Sequence, residues 1–276
     1  MQYAIGAFNT SNLEFAQAII AAATAERSPV IVQTSEGAIE YAGLPTIVAI
    51  IKTLAEAAPV PVILHLDHGK DLTLIKHCID AGYTSVMIDA SAHPLPENIC
   101  RTQEIVSYAH DRGVWVEAEL GAILGNEGAI KLGGQRTPDE ILTRPQDVKQ
   151  FFDMTGIDAL AVSIGTIHGA FTGQEYIRFE LLTEIERTVP ALPLVIHGAS
   201  GIADEHLHQV ATSNVCKINV DTELRLAFNQ AVQAYYARPH DKIDIREILG
   251  PARDAVQATV AAKLNIFGST GKAGVK

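Results

Sequence analysis

Three stretches of the chain run through apolar residues into a His-Gly pair: Val62-Ile63-Leu64-His65-Leu66-Asp67-His68-Gly69, Ile164-Gly165-Thr166-Ile167-His168-Gly169 and Leu194-Val195-Ile196-His197-Gly198. A lone histidine at a strand end is most often a hydrogen-bonded structural residue. Three of them, each followed by the residue that lets a ligand approach the backbone closely, point to a shared task. Three imidazoles with a fourth position open are the ligand set of a catalytic zinc site. His68, His168 and His197 are therefore the expected metal ligands. His65, His77, His93, His110, His206, His208 and His240 read as structural. His65 comes nearest to the rim among them, because alternation sets it opposite Leu64 and Leu66.

The acids near these histidines are the next candidates. Asp67 directly precedes His68. It reads either as an acid–base residue or as a carboxylate that orients a metal-bound imidazole. Glu117 and Glu119 alternate along one strand-like run and so share a face. Glu119, closer to the rim, reads as an additional metal ligand or an ion-pair partner. Glu127 lies in the glycine-rich break Gly121-Ala122-Ile123-Leu124-Gly125-Asn126-Glu127-Gly128. A long loop of this kind at a rim reads as a lid, whose carboxylate reaches a substrate on closure. Gly198-Ala199-Ser200-Gly201 and Asn219-Val220-Asp221-Thr222 each lead into a helix. Their free N–H groups suit a phosphate, or simple capping with Asp221 as the N-cap.

These residues need a frame that brings distant strand ends together. Short apolar runs alternate with helix-period stretches along the whole chain. The runs are 3–9, 30–35, 60–67, 85–90, 114–120, 159–164, 192–196 and 215–220, with helices expected after each and one more across 241–267. Most runs are apolar on successive residues, which suits parallel strands buried on both faces. Eight such units in 276 residues predict a (β/α)₈ TIM barrel with extra C-terminal helices, a single domain over 1–276. Strand ends of such a barrel converge on one rim. An open doubly wound sheet is disfavoured by the absence of a G-x-G-x-x-G turn after the first run.

Composition excludes several function classes. A net charge of −11 without a basic run argues against nucleic-acid binding, which draws on Lys and Arg. It also requires any phosphate site to make its own local positive potential. Cys78, Cys100 and Cys216 are widely spaced and form no C-x-x-C pair, so reduced thiols and a cytoplasmic location are expected. No run approaches a membrane span, and the N-terminus lacks the charged and apolar regions of a leader.

Together these stretches resemble the class II fructose-bisphosphate aldolase family, tagatose-bisphosphate aldolases included. The matches are Ala7-Phe8-Asn9, His65-Leu66-Asp67-His68-Gly69, 85–91, 116–121, His168-Gly169, 197–201 and 217–223, in order along nearly the whole chain. The resemblance implies zinc on His68, His168 and His197, with Glu119 as an alternative metal position. It implies reversible cleavage of fructose 1,6-bisphosphate to dihydroxyacetone phosphate and glyceraldehyde 3-phosphate through a zinc-stabilised ene-diolate. Glu127 would remove the C3 proton, Asp67 would serve the aldehyde or C4 hydroxyl oxygen, and Asn219 would hold the ene-diolate. Asn9, Ser35, Gly169, Gly198, Ser200, Asp221 and Thr222 would contact substrate, the last five as a phosphate cradle that also recruits Na⁺ or K⁺. Arg225 would reach a neighbouring subunit's phosphate, in a homodimer or homotetramer.

Three departures from the family pattern stand out. The first strand is reached without a preceding helix, the lid reads Leu124-Gly125-Asn126-Glu127-Gly128, and Thr172 stands where many relatives carry lysine. Other readings are a tagatose-bisphosphate or other keto-phosphate aldolase, a Schiff-base aldolase using Lys217, a metal-dependent hydrolase, and a non-catalytic binding barrel. The Schiff-base reading leaves the His-Gly endings unexplained, and the hydrolase reading lacks a His-x-His on the first strand.

Overall fold

The computed structural model describes residues 3–122, 124–125, 141–168, 177–237 and 243–274. Its strands are β1 (Ile5–Asn9), β2 (Val30–Ser35), β3 (Val62–Gly69), β4 (Ser85–Ile88), β5 (Trp115–Leu120), β6 (Leu124–Gly125), β7 (Ala159–Val162), β8 (Ile167–His168), β9 (Leu194–Ile196) and β10 (Val215–Val220). Eight of them close in the order β1-β10-β9-β7-β5-β4-β3-β2, every pair parallel. This is a TIM barrel. Both faces of each strand are covered, which is why the apolar runs do not alternate.

The helices are α1 (Leu13–Ala25), α2 (Glu36–Ala42), α3 (Leu44–Ala57), α4 (Leu72–Ala81), α5 (Leu95–His110), α6 (Pro145–Thr155), α7 (Phe179–Thr188), α8 (Asp204–Ala211), α9 (Thr222–Tyr236) and α10 (Ile245–Ile266). Helix α1 starts where the Asn12 side chain accepts the Phe15 N–H at 3.0 Å. Its buried Phe15, Ala16, Ile19, Ala22 and Ala23 recur at helical spacing, and it packs on the C-terminal α10. Inside the barrel, Met87, Ala161 and Val195 form a separate, fully buried apolar plug. The interior becomes polar elsewhere, with Gln33, His65, Asp67, Glu117, Glu119, Lys217 and Asn219 all buried.

Two local features differ from the sequence expectation. Helix α2 is additional: Ser35 caps it by accepting the Ala38 N–H at 3.3 Å, and Gly43, at φ 80°, ends it before α3 opens at Leu44 with Pro45 in its first turn. At seven residues, this helix is about two turns long. The barrel strand β7 stops at Val162, two residues short of the expected run 159–164, and the His-Gly pair at His168 does not end a barrel strand. His168 sits on β8, which pairs with β6 through Leu124–Ile167 and Gly125–His168, outside the barrel sheet. Among the described residues no single helix is long and apolar enough to cross a membrane. Cys78, Cys100 and Cys216 are free thiols.

Candidate active site

Asp67 and His68 are adjacent, and simple alternation would point them to opposite faces of β3. The structure resolves this with a bulge. The register between β3 and β4 shifts between Leu66 and Gly69, and His68 takes a positive φ of 49°. A β-bulge re-aims one side chain, and a histidine held in the left-handed region carries local strain of the kind found at functional sites. The His68 N–H leaves the ladder and meets Met87 Sδ at 3.4 Å. Gly69 is required next. A Cβ there would lie 2.7 Å from the Met87 carbonyl oxygen and 2.7 Å from Ile75.

Both imidazoles turned into the site are backed by carboxylates. His68 Nδ1 lies 3.0 Å from Asp89 Oδ2, and His197 Nε2 lies 2.8 Å from Glu117 Oε1. A carboxylate only accepts, so in the neutral rings those nitrogens carry the hydrogens. Their other nitrogens, His68 Nε2 and His197 Nδ1, face each other at 2.9 Å. Two lone pairs converging in this way need a shared proton or a cation between them. An oxygen of Asp67 and one ring nitrogen each of His68 and His197 lie within 4.8 Å of one another, and His68, Asp89 and Glu119 form a second group of the same closeness. Glu119 is fully buried, and neither of its oxygens has a hydrogen-bond partner among the described residues. The neighbouring Ser91 hydroxyl donates instead to Asp89 Oδ1 at 2.7 Å. Hard oxygens without donors beside paired imidazole nitrogens fit a divalent metal such as zinc. For His168 the described part is its backbone place on β8, so two of the three expected histidines are brought together here.

Asp67 takes a different role from Asp89. Its two oxygens accept from Asn9 Nδ2 at 2.8 Å and Asn219 Nδ2 at 3.1 Å. Gln33 Nε2 donates to Asn9 Oδ1 at 2.6 Å and so fixes that amide. Burial raises the Asp67 carboxyl, but His68, His197, Lys217 and the Asn9 hydrogen bond together hold it below its usual value. The orienting carboxylate for His68 is Asp89, which the sequence reading did not single out. Asn9 faces Asp67, and Ser35 caps α2 while lining the site cavity. That cavity, about 540 Å³, also touches Asp67, His68, Lys70, Tyr41 and Arg225.

The far side is built by the loops after β9 and β10. Ser200 Oγ accepts the Glu223 N–H at 3.4 Å, and Gly201 N–H donates to Glu223 Oε1 at 3.0 Å. Gly198 has φ 65°, which a side chain would disfavour. Thr222 opens α9, while Asp221 occupies the cap position without capping through its side chain. Its carboxylate instead grips Arg225, at 2.8 Å to Nε and 2.8 Å to a terminal nitrogen. The capping expectation for Asp221 is therefore corrected in its side-chain part. Glu127, Gly169, Thr172 and His240 lie outside the described residues. His65 Nδ1 lies 2.8 Å from Ser85 Oγ, and burial and then the Lys217 charge push its pKa down.

The charged groups predict how the metal-free protein responds to pH. Burial pulls His68 down, but Asp67 and the hydrogen bond to Asp89 reverse this and raise it from 6.5 to about 9. The stability this contributes is complete below the unfolded value and disappears as pH rises through about 9. Burial, then the Asp89 charge, raises Glu119 from 4.5 to about 8, so stability also falls with rising pH across that span. Metal-free protein is therefore expected to melt several degrees lower at pH 9 than at pH 6.5. Zinc-loaded protein should lack that drop, and equal slopes for the two forms would contradict a shared proton at His68.

Comparison with known proteins gives a consistent result. The chain matches the family described as fructose-bisphosphate aldolase class-II over residues 1–272. It is 45% identical over 275 residues to the fructose-bisphosphate aldolase of Geobacillus stearothermophilus, covering 99% of this chain and 94% of that protein. It is 40% identical to the fructose-bisphosphate aldolase of Giardia intestinalis over 298 residues, covering 99% and 90% of the two chains. Its structure resembles the crystal structure of the YdjI aldolase from Escherichia coli K12, with TM-score 0.85, 34% identity and coverage of 99% and 94%.

Proposed function

The chain belongs to the class II fructose-bisphosphate aldolase family of lyases, and on that premise we propose how this rim performs the reaction. The reaction is reversible cleavage of fructose 1,6-bisphosphate to dihydroxyacetone phosphate and glyceraldehyde 3-phosphate. The observation that carries the reading is the pair of buried, carboxylate-backed imidazoles converging at 2.9 Å beside Asp67. His68, His168 and His197 are the zinc ligands in this reading, with Glu119 as a second position for the ion. Zinc, when bound, supplies a Lewis acid that polarises the ketone and neutralises charge developing on its oxygen.

The chain's own residues do the rest. Asp67, held anionic between two amide donors, takes the C4 hydroxyl proton in cleavage and returns it in condensation. Glu127, on the lid, moves the proton at C3. Asn219, whose Oδ1 has no hydrogen-bond partner among the described residues, positions the reacting carbons together with Asn9. One phosphate lies on the N–H groups of Gly169, Gly198 and Ser200 and the start of α9 at Asp221 and Thr222. Na⁺ or K⁺ offsets its charge in a chain of net charge −11. Ser35 serves the substrate from the cavity wall, and Arg225, at the same cavity, reaches a neighbouring subunit's phosphate.

Chelation tests this directly. Cleavage should fall to background in excess EDTA and return with added zinc, and full activity with metal shown to be absent would refute the reading. Tagatose 1,6-bisphosphate differs at C4, the carbon whose hydroxyl faces Asp67, so it belongs in the same assay. Lys217 does not serve as a Schiff-base amine: it is buried and ion-paired to Glu117 at 2.9 Å. We also infer a homodimer or homotetramer in the cytoplasm. Leu226 and Tyr236 leave apolar surface exposed on α9, the helix that carries Arg225. A purely monomeric species in sedimentation at working concentration would count against the oligomer.

A further inference from the structure

Resting on the metal site proposed above, we infer that Glu117 is the positioning residue that selects which nitrogen of His197 faces the metal, and that Lys217 holds Glu117 in place. Glu117 and Glu119 face the same interior of β5, yet their surroundings differ. Glu119 has no hydrogen-bond partner for either oxygen among the described residues, whereas both oxygens of Glu117 are engaged. Oε1 meets His197 Nε2 at 2.8 Å, and Oε2 meets Lys217 Nζ at 2.9 Å. His65 Nε2 lies 3.6 Å from the same Oε2.

A neutral imidazole can carry its proton on either nitrogen, and only the unprotonated one can bind a metal. Glu117 settles the choice. It accepts from Nε2, which leaves Nδ1 open toward His68 Nε2 at 2.9 Å. With the proton on the other nitrogen, an N–H would point at the place where the ion must sit. A carboxylate buried this deeply needs a counter-charge to stay in position. Lys217 supplies it from β10, which β9 and β7 separate from β5 in the barrel. The pair therefore ties the orientation of His197 to the closed barrel. Glu117 touches neither substrate nor ion in this arrangement. It acts through His197.

The test compares three proteins for zinc affinity, by competition with a chromophoric chelator, and for the His197 tautomer, by ¹⁵N NMR of histidine-labelled protein. Wild type should show the His197 proton on Nε2. Glu117→Met combined with Lys217→Met avoids leaving a buried charge unpaired. It should bind zinc about 10–100-fold more weakly, the range typical of lost outer-sphere partners, and its His197 signals should shift toward the other tautomer. Glu117→Gln with Lys217→Met keeps an acceptor oxygen and should recover most of the affinity and the original signals. A merely structural role would lower the melting temperature without moving those signals. Wild-type affinity and an unchanged tautomer in the folded Met pair would overturn the inference while leaving the metal site standing. Failure of the wild type itself to take up zinc would overturn the metal site, and the inference with it. Should the Met pair not fold, Lys217→Met alone decides: a severalfold loss of zinc affinity supports the tether, and no loss overturns it.

Discussion

Asp67→Asn is expected to lower the rate of fructose 1,6-bisphosphate cleavage by about 10²–10⁴-fold, the usual worth of a positioned acid–base group. The substitution suits the question because the site can absorb it. Asp67 accepts from Asn9 and Asn219, and Gln33 locks the Asn9 amide in its orientation. An asparagine at 67 can still offer its carbonyl oxygen to Asn9. Its new NH₂ group then faces Asn219, whose own amide can turn to present Oδ1, an atom with no hydrogen-bond partner among the described residues. Folding and zinc content should stay near wild type while the proton acceptor is gone. Steady-state cleavage, metal analysis and a thermal melt on one preparation check this. A loss smaller than tenfold would remove Asp67 from the proton transfer and leave it a structural part of the amide network.

Much of the frame is legible in the sequence because it follows from local rules. The apolar runs and the helices between them depend on neighbours a few residues apart. The parts that are not legible depend on register and distance. Nothing in Leu66-Asp67-His68-Gly69 announces a bulge, yet the bulge is what lets two adjacent side chains serve one site. Alternation alone would have given the site Asp67 or His68, but not both. The orienting acids were hidden for a second reason. Asp89 lies 21 residues from His68, and Glu117 lies 80 residues from His197, so only the closed barrel shows the pairing. The sequence sets Glu119 apart from Glu117 only by its place nearer the rim. Lys217, 100 positions further along than Glu117, makes one of them an anchored partner and leaves the other open to an ion.

The acidity of the chain poses a problem that the site answers locally. A net charge of −11 would repel a bisphosphate, and the described rim carries several carboxylates. Each is paired to a cation or to donors, apart from Glu119, whose pKa is raised by burial and by Asp89 to about 8. A metal bound there would reverse the sign of the local potential, which is the positive field the substrate needs. Metal binding and phosphate binding are therefore coupled through electrostatics. Zinc-stripped protein should bind substrate more weakly as well as fail to turn it over.

Glu127→Ala is expected to abolish turnover, by about 10²–10⁴-fold or more, with zinc still bound. Glu127 lies outside the described residues, so the expectation rests on its place in the glycine-rich segment between β5 and α6 and on the family resemblance. Among the described residues, Gly125 on β6 pairs with His168 on β8. Glu127 follows Gly125 by two residues in the sequence. The two acids can be told apart by the half-reaction each serves. Glu127 acts at C3 of dihydroxyacetone phosphate, so its loss should stop exchange of that hydrogen with solvent deuterium as well as cleavage. Asp67 acts at the C4 oxygen, which dihydroxyacetone phosphate lacks, so Asp67→Asn should cleave slowly and still exchange. Exchange retained in Glu127→Ala would assign the C3 proton to another base. Exchange lost in both variants, with zinc retained, would mean that the Asp67 network holds the ketone in place and does more than move the C4 proton.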